Sequence, residues 1–364
     1  MKLVFITESL GSGGAERVLC NVVNALSNEG FECDIIIFKG DEEPFYELNK
    51  NVRIINLNYA YKNKNMFGVV VENIMRLIKL RKAVSDNKAN IYISFMAHCN
   101  VRVAISCLLM KQKFVFCEHN NYFAFKGYIR RCLRLLAYAI QPKIITVLTD
   151  RDKSNYPIFL QNKIKVLKNP LGIEVSELQL PSLNQRKRII LAVGRLTKQK
   201  GYERLLLIYK TLKSRGLSDE WKLYIAGEGE ERESLIDIAL DYKINNDVFF
   251  LGNVRDIAEL YKHSSIYVMT SHWEGLPMVL GEAMQFGLPV CSFDCPTGPR
   301  EFITQGVNGY LIENGDIEKF CSCIENLISN TDIRDSFGKQ ARISSYDYSM
   351  SNIKNEWLRI LNKL

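Results

Sequence analysis

Two carboxylates, Glu274 and Glu282, bracket the segment Glu274-Gly275-Leu276-Pro277-Met278-Val279-Leu280-Gly281-Glu282, with seven residues between them. Proline favours the first turn of a helix, where its missing N–H costs nothing. Pro277 therefore marks a helix start, with Glu274 in the preceding loop and Glu282 inside the helix. A helix N-terminus offers unpaired amides, here those of Met278 and Val279, to a phosphate, while flanking carboxylates can accept sugar or ribose hydroxyls. A basic loop, Gly194-Arg195-Leu196-Thr197-Lys198-Gln199-Lys200-Gly201, follows the apolar run 189–193. Arg195 and Lys200 can converge on one diphosphate, the first as a planar fork and the second as a point charge. The Gly-Lys-Ser/Thr order of a nucleoside triphosphatase loop is absent, which argues against that chemistry.

Near the N-terminus, a strand-like run over 1–7 leads into Gly11-Ser12-Gly13-Gly14-Ala15-Glu16-Arg17, directly before a helical pattern. Glycines at such a turn let the backbone approach a phosphate or sugar, although the spacing is not GxGxxG and a tight turn alone would also want glycine. Phe116-Cys117-Glu118-His119-Asn120 places His119 just after another apolar run, where an imidazole can serve a reaction or satisfy a turn.

Strand-like runs at 1–7, 33–38, 52–57, 91–95, 114–117 and 143–148 alternate with helix-length amphipathic runs, and the pattern resumes at 188–194, 221–226, 248–251, 266–270, 288–292 and 309–312. This is the signature of parallel sheets covered on both faces, and two Rossmann-like domains in tandem fit it better than one long sheet. The turn cluster Asn169-Pro170-Leu171-Gly172 and the polar stretch 176–188 set the boundary, giving domains at 1–172 and 173–348. Residues 349–364 read as a last helix with Ile353, Trp357, Ile360 and Leu361 on one face; with no strand after it, it is free to pack on the N-terminal domain.

The length of 364 residues suits two domains, and 47% apolar with 24% charged residues excludes disorder, collagen and coiled coil. The net charge of +8 is uneven: residues 1–170 hold 25 Lys/Arg against 14 Asp/Glu, and 76–134 alone hold 12 against 2. An anionic partner is expected on that side. The ten cysteines show no CxxC and lie mostly in apolar runs, so neither a zinc site nor a disulfide framework is expected. The opening apolar run breaks at Glu8, too early for a secretory signal, and no apolar stretch is long enough to span a bilayer. A cytoplasmic location with at most peripheral membrane contact is the expectation.

Taken together, Gly13-Gly14-Ala15-Glu16, the Gly194-Arg195 to Lys200-Gly201 loop, Ala226-Gly227-Glu228-Gly229 and the Glu274/Glu282 pair resemble a retaining GT-B glycosyltransferase of glycosyltransferase family 4. The landmarks span 13–282 in the family's order, and the loop from Asp294-Cys295-Pro296 to Pro299-Arg300-Glu301 resembles that of bacterial enzymes that build exopolysaccharide and O-antigen units. The resemblance implies an α/β GT-B fold with an interdomain cleft and a nucleoside-diphosphate sugar as donor, UDP rather than GDP. It also implies transfer of a hexose or N-acetylhexosamine to a lipid-linked oligosaccharide. It makes Arg195 and Lys200 the cations on the donor diphosphate, Glu282 the carboxylate on the ribose and Glu274 the one beside the transferred sugar. Gly14 becomes the glycine whose amide meets the phosphate, Gly194 part of the donor loop, and His119 a histidine contacting donor sugar or acceptor. No Asp-x-Asp follows a suitable strand, which agrees with a reaction needing neither metal nor cofactor. A sugar-nucleotide epimerase of the same fold and a non-catalytic sugar-nucleotide-binding scaffold are the alternatives.

Residues 123–136 alternate bulky apolar groups with Lys126, Arg130, Arg131 and Arg134. As a helix, this stretch has the make-up of an interfacial anchor, with arginines toward anionic headgroups, or of an ordinary crossover helix. No nucleic-acid module accompanies the charge, so nucleic acid is not expected as a partner.

Overall fold

Runs of β-branched and aromatic residues bury both faces of their strands, so each half of the chain builds a parallel sheet between helical layers. The computed structural model describes residues 1–11, 13–38, 43–58, 66–119, 122, 127–173, 180–182, 185–296 and 298–364. Of the segments singled out above, Ser12, Asn120, 123–126, 176–179, 183, 184 and 297 lie outside the described residues. Contacts divide the chain into a unit of Met1–Gly172 with Met350–Leu364 and a unit of Ile173–Ser349.

The first unit runs β1 (Lys2–Thr7), α1 (Gly14–Asn28), β2 (Glu32–Ile37), β3 (Arg53–Asn56), α2 (Met66–Asn87), β4 (Ile91–Phe95) and α3 (Ala97–Ser106). It continues through β5 (Lys113–Cys117), α4 (Tyr128–Ile140), β6 (Ile144–Val147), α5 (Asp150–Ser154), α6 (Ile158–Gln161) and β7 (Ile164–Val166). The sheet order is β3-β2-β1-β4-β5-β6-β7, all parallel, with Phe5 opposite Ile35 on one side and Ile93 on the other. Alternation sends Phe5, Phe95 and Cys117 to one covering layer and Val4, Tyr92 and Phe116 to the other. The short β7 is an element the sequence reading omits.

The second unit runs β8 (Ile189–Val193), α7 (Tyr202–Ser214), β9 (Lys222–Ala226), α8 (Arg232–Asp241), β10 (Val248–Gly252), α9 (Ile257–His263) and β11 (Ile266–Met269). It continues through α10 (Met278–Gln285), β12 (Val290–Asp294), α11 (Pro299–Phe302), β13 (Gly309–Glu313), α12 (Ile317–Ser329) and α13 (Thr331–Ser345). Its six parallel strands follow the order β10-β9-β8-β11-β12-β13.

The last helix, α14 (Met350–Asn362), belongs to the first unit. Ile353, Trp357, Ile360 and Leu361 enter the core shared with Leu19 and Val23 of α1, and Lys354 pairs with Glu29. All ten cysteines are free thiols, and only Cys132 is exposed. Among the described residues no helix is long and apolar enough to cross a membrane.

The anchor-like stretch reads differently in three dimensions. In α4 the exposed large apolar positions are Tyr128, Ile129, Leu133, Leu136 and Ile140, whereas Arg134 is 1% exposed. The expectation that Arg134 faces outward is therefore corrected. Its guanidinium lies 4.6 Å over the Tyr122 ring and 5.5 Å over the Tyr156 ring, an aromatic pocket that accommodates a weakly hydrated cation.

Candidate functional site

In an open parallel sheet, ligands gather at the carboxyl ends of strands where the order reverses direction. In the second unit that place is between β8 and β11, since β8 is followed in space by β9 on one side and β11 on the other. The loop leaving β8 carries Arg195 and Lys200, and the loop leaving β11 carries Glu274.

These two loops are stitched together by backbone contacts. Gly201 adopts φ +61°, a conformation that favours glycine, and a Cβ there would stand 2.4 Å from the Thr270 carbonyl oxygen. The Thr270 hydroxyl donates to the Gly201 carbonyl at 2.9 Å, the His272 amide donates to the Gln199 carbonyl at 2.8 Å, and the Gln199 side chain donates to the Trp273 carbonyl at 3.0 Å. With the loops so fixed, Lys200 Nζ reaches Glu274 Oε1 at 2.6 Å, and Ser271 Oγ donates to the same oxygen at 2.6 Å. The pair is mostly buried, with side-chain exposures of 15% and 7%.

Glycines make the room for this. A Cβ at Gly194 would come within 3.2 Å of Lys200 Cε and 3.0 Å of the Tyr202 hydroxyl, so the bare backbone leaves the corridor along which Lys200 runs. A Cβ at Gly227 would fall 1.9 Å from the Gly194 carbonyl oxygen and one at Gly229 would fall 2.2 Å from that of Leu196. The loop after β9 therefore supports the loop after β8 by direct backbone approach. Tyr202 donates to the Gly194 carbonyl at 3.1 Å, and burial, reinforced by the Glu274 charge, pushes its phenol pKa upward, keeping it a neutral donor.

The remaining donor-side candidates are placed differently. Arg195 is exposed and has no ion-pair partner among the described residues. Met278 and Val279 form the open first turn of α10, where the Leu280 and Gly281 amides turn back to the Pro277 carbonyl. Glu282, one turn further on, is 1% exposed, and the Tyr261 hydroxyl lies 3.4 Å from its Oε2. The two carboxylates thus flank the start of α10, Glu274 in the loop before it and Glu282 within it, and only Glu274 meets Lys200. Outside these candidates, Arg300 of α11 is engaged by both Asp294 oxygens, the Nε contact being 2.6 Å.

In the first unit, Gly14 opens α1, and a Cβ there would meet nothing within 4 Å. The Glu16 carboxylate turns back toward this end, since a Cβ on Gly13 would fall 2.1 Å from one of its oxygens. His119 follows β5. Its ring stacks on Phe95 at 4.6 Å and 12°, and its Nδ1 lies 3.1 Å from Asn169 Oδ1. Burial lowers its pKa to about 4, against a smaller upward pull from Asn169, so the imidazole is neutral at pH 7. Because Oδ1 is the acceptor, Nδ1 carries the proton and the lone pair is on Nε2, a buried atom with no hydrogen-bond partner among the described residues. His119 is thereby arranged to accept a hydrogen bond from a hydroxyl.

Several residues around these sites escape a reading by motif. Asn169 counts in the sequence only as part of a turn, while Ser271, Tyr202 and Tyr261 carry no spacing signal. Ser271, three residues before Glu274, and Tyr202, two residues after Lys200, could have been suggested by proximity.

The family described as "Glycosyl transferases group 1" matches residues 177–344 and "Glycosyltransferase Family 4" matches 12–150. The amylovoran biosynthesis glycosyltransferase AmsD of Erwinia amylovora is 32% identical, covering 99% of both chains. The GalNAc-alpha-(1->4)-GalNAc-alpha-(1->3)-diNAcBac-PP-undecaprenol alpha-1,4-N-acetyl-D-galactosaminyltransferase of Campylobacter jejuni is 29% identical over 99% of this chain and 98% of its own. Among solved structures, the lipopolysaccharide outer core galactosyltransferase WaaB superposes with a TM-score of 0.77 at 20% identity, and Anabaena HepE in complex with UDP with 0.78 at 17%, each covering 100% of both chains. These likenesses establish the GT-B fold. The chain belongs to the glycosyltransferases, joining a Glycosyltransferase Family 4 domain to a Glycosyl transferases group 1 domain.

Proposed function

We propose that this glycosyltransferase moves a hexose or N-acetylhexosamine from a nucleoside-diphosphate sugar, a UDP-sugar by preference, to a lipid-linked oligosaccharide of a bacterial surface polysaccharide, with retention of anomeric configuration. The observation that carries the donor assignment is the Lys200–Glu274 contact at the β8/β11 switch of the second sheet. Breaking the anomeric C–O bond leaves negative charge on the departing diphosphate and positive character on the sugar, and donors held in place beforehand stabilise the first. Arg195, Lys200 and the Met278 and Val279 amides are the groups assigned to the diphosphate, with Gly14 and Gly194 allowing close backbone approach. Glu274 is assigned to the transferred sugar, Glu282 to the ribose, and His119 to a hydroxyl of donor sugar or acceptor. The relatives named for polysaccharide and undecaprenol-linked glycan transfer, and the neighbour bound to UDP, support this choice of substrates.

The acceptor's lipid places the reaction at a membrane, and we assign the chain to the cytoplasmic face as a peripheral protein. The exposed Ile129, Leu133, Leu136 and Ile140 of α4, beside the exposed Arg130, form a surface suited to an anionic bilayer.

A thermal-shift panel of UDP-, GDP- and dTDP-sugars tests the donor reading. At about 100 times its dissociation constant a true donor stabilises by about 2.7 kcal/mol. A UDP-sugar that shifts the midpoint and is consumed with an undecaprenol-linked acceptor supports the proposal. A response to none of the three classes, or consumption giving only a rearranged sugar without acceptor, refutes it.

A further inference from the structure

His119 stands one residue beyond Glu118, and in an extended segment consecutive side chains point to opposite faces. His119 accordingly lies with Phe95, and Glu118 lies on the other face, with α3 and α4. There it is 3% exposed. Tyr138 of α4 donates its hydroxyl to Glu118 Oε1, while Asn100 of α3 donates to the Tyr138 hydroxyl at 3.0 Å and to the Cys117 carbonyl at 3.2 Å. Four residues beyond Glu118, the Tyr122 carbonyl accepts from Arg134 Nη2 at 3.0 Å, with the guanidinium over its ring. Two residues one turn apart on the buried face of α4 therefore hold Glu118 and Tyr122, and the first of these adjoins His119 directly.

A leucine at 118 would bury more cheaply than a carboxyl, because desolvating an acid costs several kcal/mol unless it is fully hydrogen-bonded. What the carboxyl adds is direction: a hydrogen bond to one hydroxyl fixes the torsion of the strand end in a way apolar packing does not. The Glu118 amide donates to the Thr146 carbonyl at 2.9 Å, so backbone and side chain are pinned at once, and the next residue has little freedom.

We propose that Glu118, clamped by Tyr138, is a positioning residue that fixes where the Nε2 of His119 stands. The proposal rests on the reading that His119 serves the transfer reaction. It makes α4 the element that sets the acceptor-side geometry from its inner face while its outer face remains apolar and exposed.

The test compares Tyr138→Phe, Glu118→Leu and Glu118→Gln in the full-length protein, each checked for a cooperative thermal transition. The His119 imidazole resonance, assigned with His119→Ala, is followed by NMR alongside kcat and the donor KM. Tyr138→Phe and Glu118→Leu are expected to move that resonance and lower kcat about tenfold, as a small misplacement of a reacting group does. Donor KM should stay within about twofold, because uniform donor binding is untouched. Glu118→Gln, which still accepts from Tyr138, should keep both resonance and kcat near wild type. An unmoved resonance in folded Tyr138→Phe and Glu118→Leu overturns the proposal whatever happens to kcat. A fully active His119→Ala instead sinks the reading of His119 as a reacting group, and a moved resonance would then still support the clamp.

Discussion

Lys200 Nζ and Glu274 Oε1 lie 2.6 Å apart, so the cation assigned to the donor diphosphate is already held by the carboxylate assigned to the donor sugar. Ser271 donates to the same oxygen, which keeps the carboxylate in place and the lysine extended along the Gly194 corridor. On these assignments a diphosphate entering the site would compete with Glu274 for one ammonium group, which would give the two residues opposed roles in binding and complementary roles in transfer.

Glu274→Gln therefore separates the two roles. Removing the competing charge frees Lys200 for phosphate, so UDP affinity measured by calorimetry should rise severalfold. Sugar transfer should fall by an order of magnitude or more, the usual loss when a group acting at the reacting centre is removed. Weaker UDP binding in this variant would show that Glu274 does not oppose the diphosphate.

Lys200→Ala takes away the cation that meets the buried Glu274 carboxylate while the Ser271 hydroxyl still donates to it, a loss of about 2 kcal/mol of stability by the cost of removing one partner of a buried ion pair. Removing Glu274 as well should restore most of that stability, since the two sites are coupled, but none of the turnover. Denaturation midpoints of the single and double variants, set beside their kcat values, decide the matter; additive stability losses would count against a coupled pair.

Arg195 makes the opposite prediction. It is exposed and has no ion-pair partner among the described residues, so Arg195→Ala should change stability by no more than about 0.5 kcal/mol. Turnover should still drop at least about tenfold if the guanidinium meets charge that develops only as the nucleotide leaves. Unaltered kcat in a stable variant would remove Arg195 from the reaction.

The ease of reading this fold from sequence followed from local patterning. Continuous apolar runs marked the strands because both faces are buried, and glycine at strand ends marked the turns. The three-residue β7 was missed because Ile164, Lys165 and Val166 are too few to show a period. Arg134 was misread for a deeper reason. An arginine among leucines suggests a solvent-facing cation, and only tertiary structure brings Tyr122 and Tyr156 around it. Likewise, the meeting of Lys200 and Glu274 depends on β8 and β11 being spatial neighbours, although 74 residues separate the two side chains. Spacing within a motif cannot carry that strand order.

The neighbours Glu118 and His119 shift in opposite directions and so pull stability in opposite directions with pH. Burial pushes the Glu118 carboxyl up to about 7 from 4.5, against weaker downward pulls from Arg134 and Asn100 and a further upward push from Asp152. Between those values the folded chain keeps a proton the unfolded chain releases, so this contribution is present below pH 4.5 and is lost as pH rises through 7. Burial lowers His119 to about 4 from 6.5, so in that window the unfolded chain binds the extra proton and stability falls as pH falls. Glu118→Gln removes only the first effect. Relative to wild type, its stability should improve steadily from pH 4.5 to 7, with a slope of at most about 1.4 kcal/mol per pH unit, as a single proton requires. His119→Asn should instead gain on wild type as pH falls from 6.5 toward 4. Denaturant midpoints across this range check both signs, and parallel curves for wild type and Glu118→Gln would mean that the carboxyl is ionised in its pocket throughout.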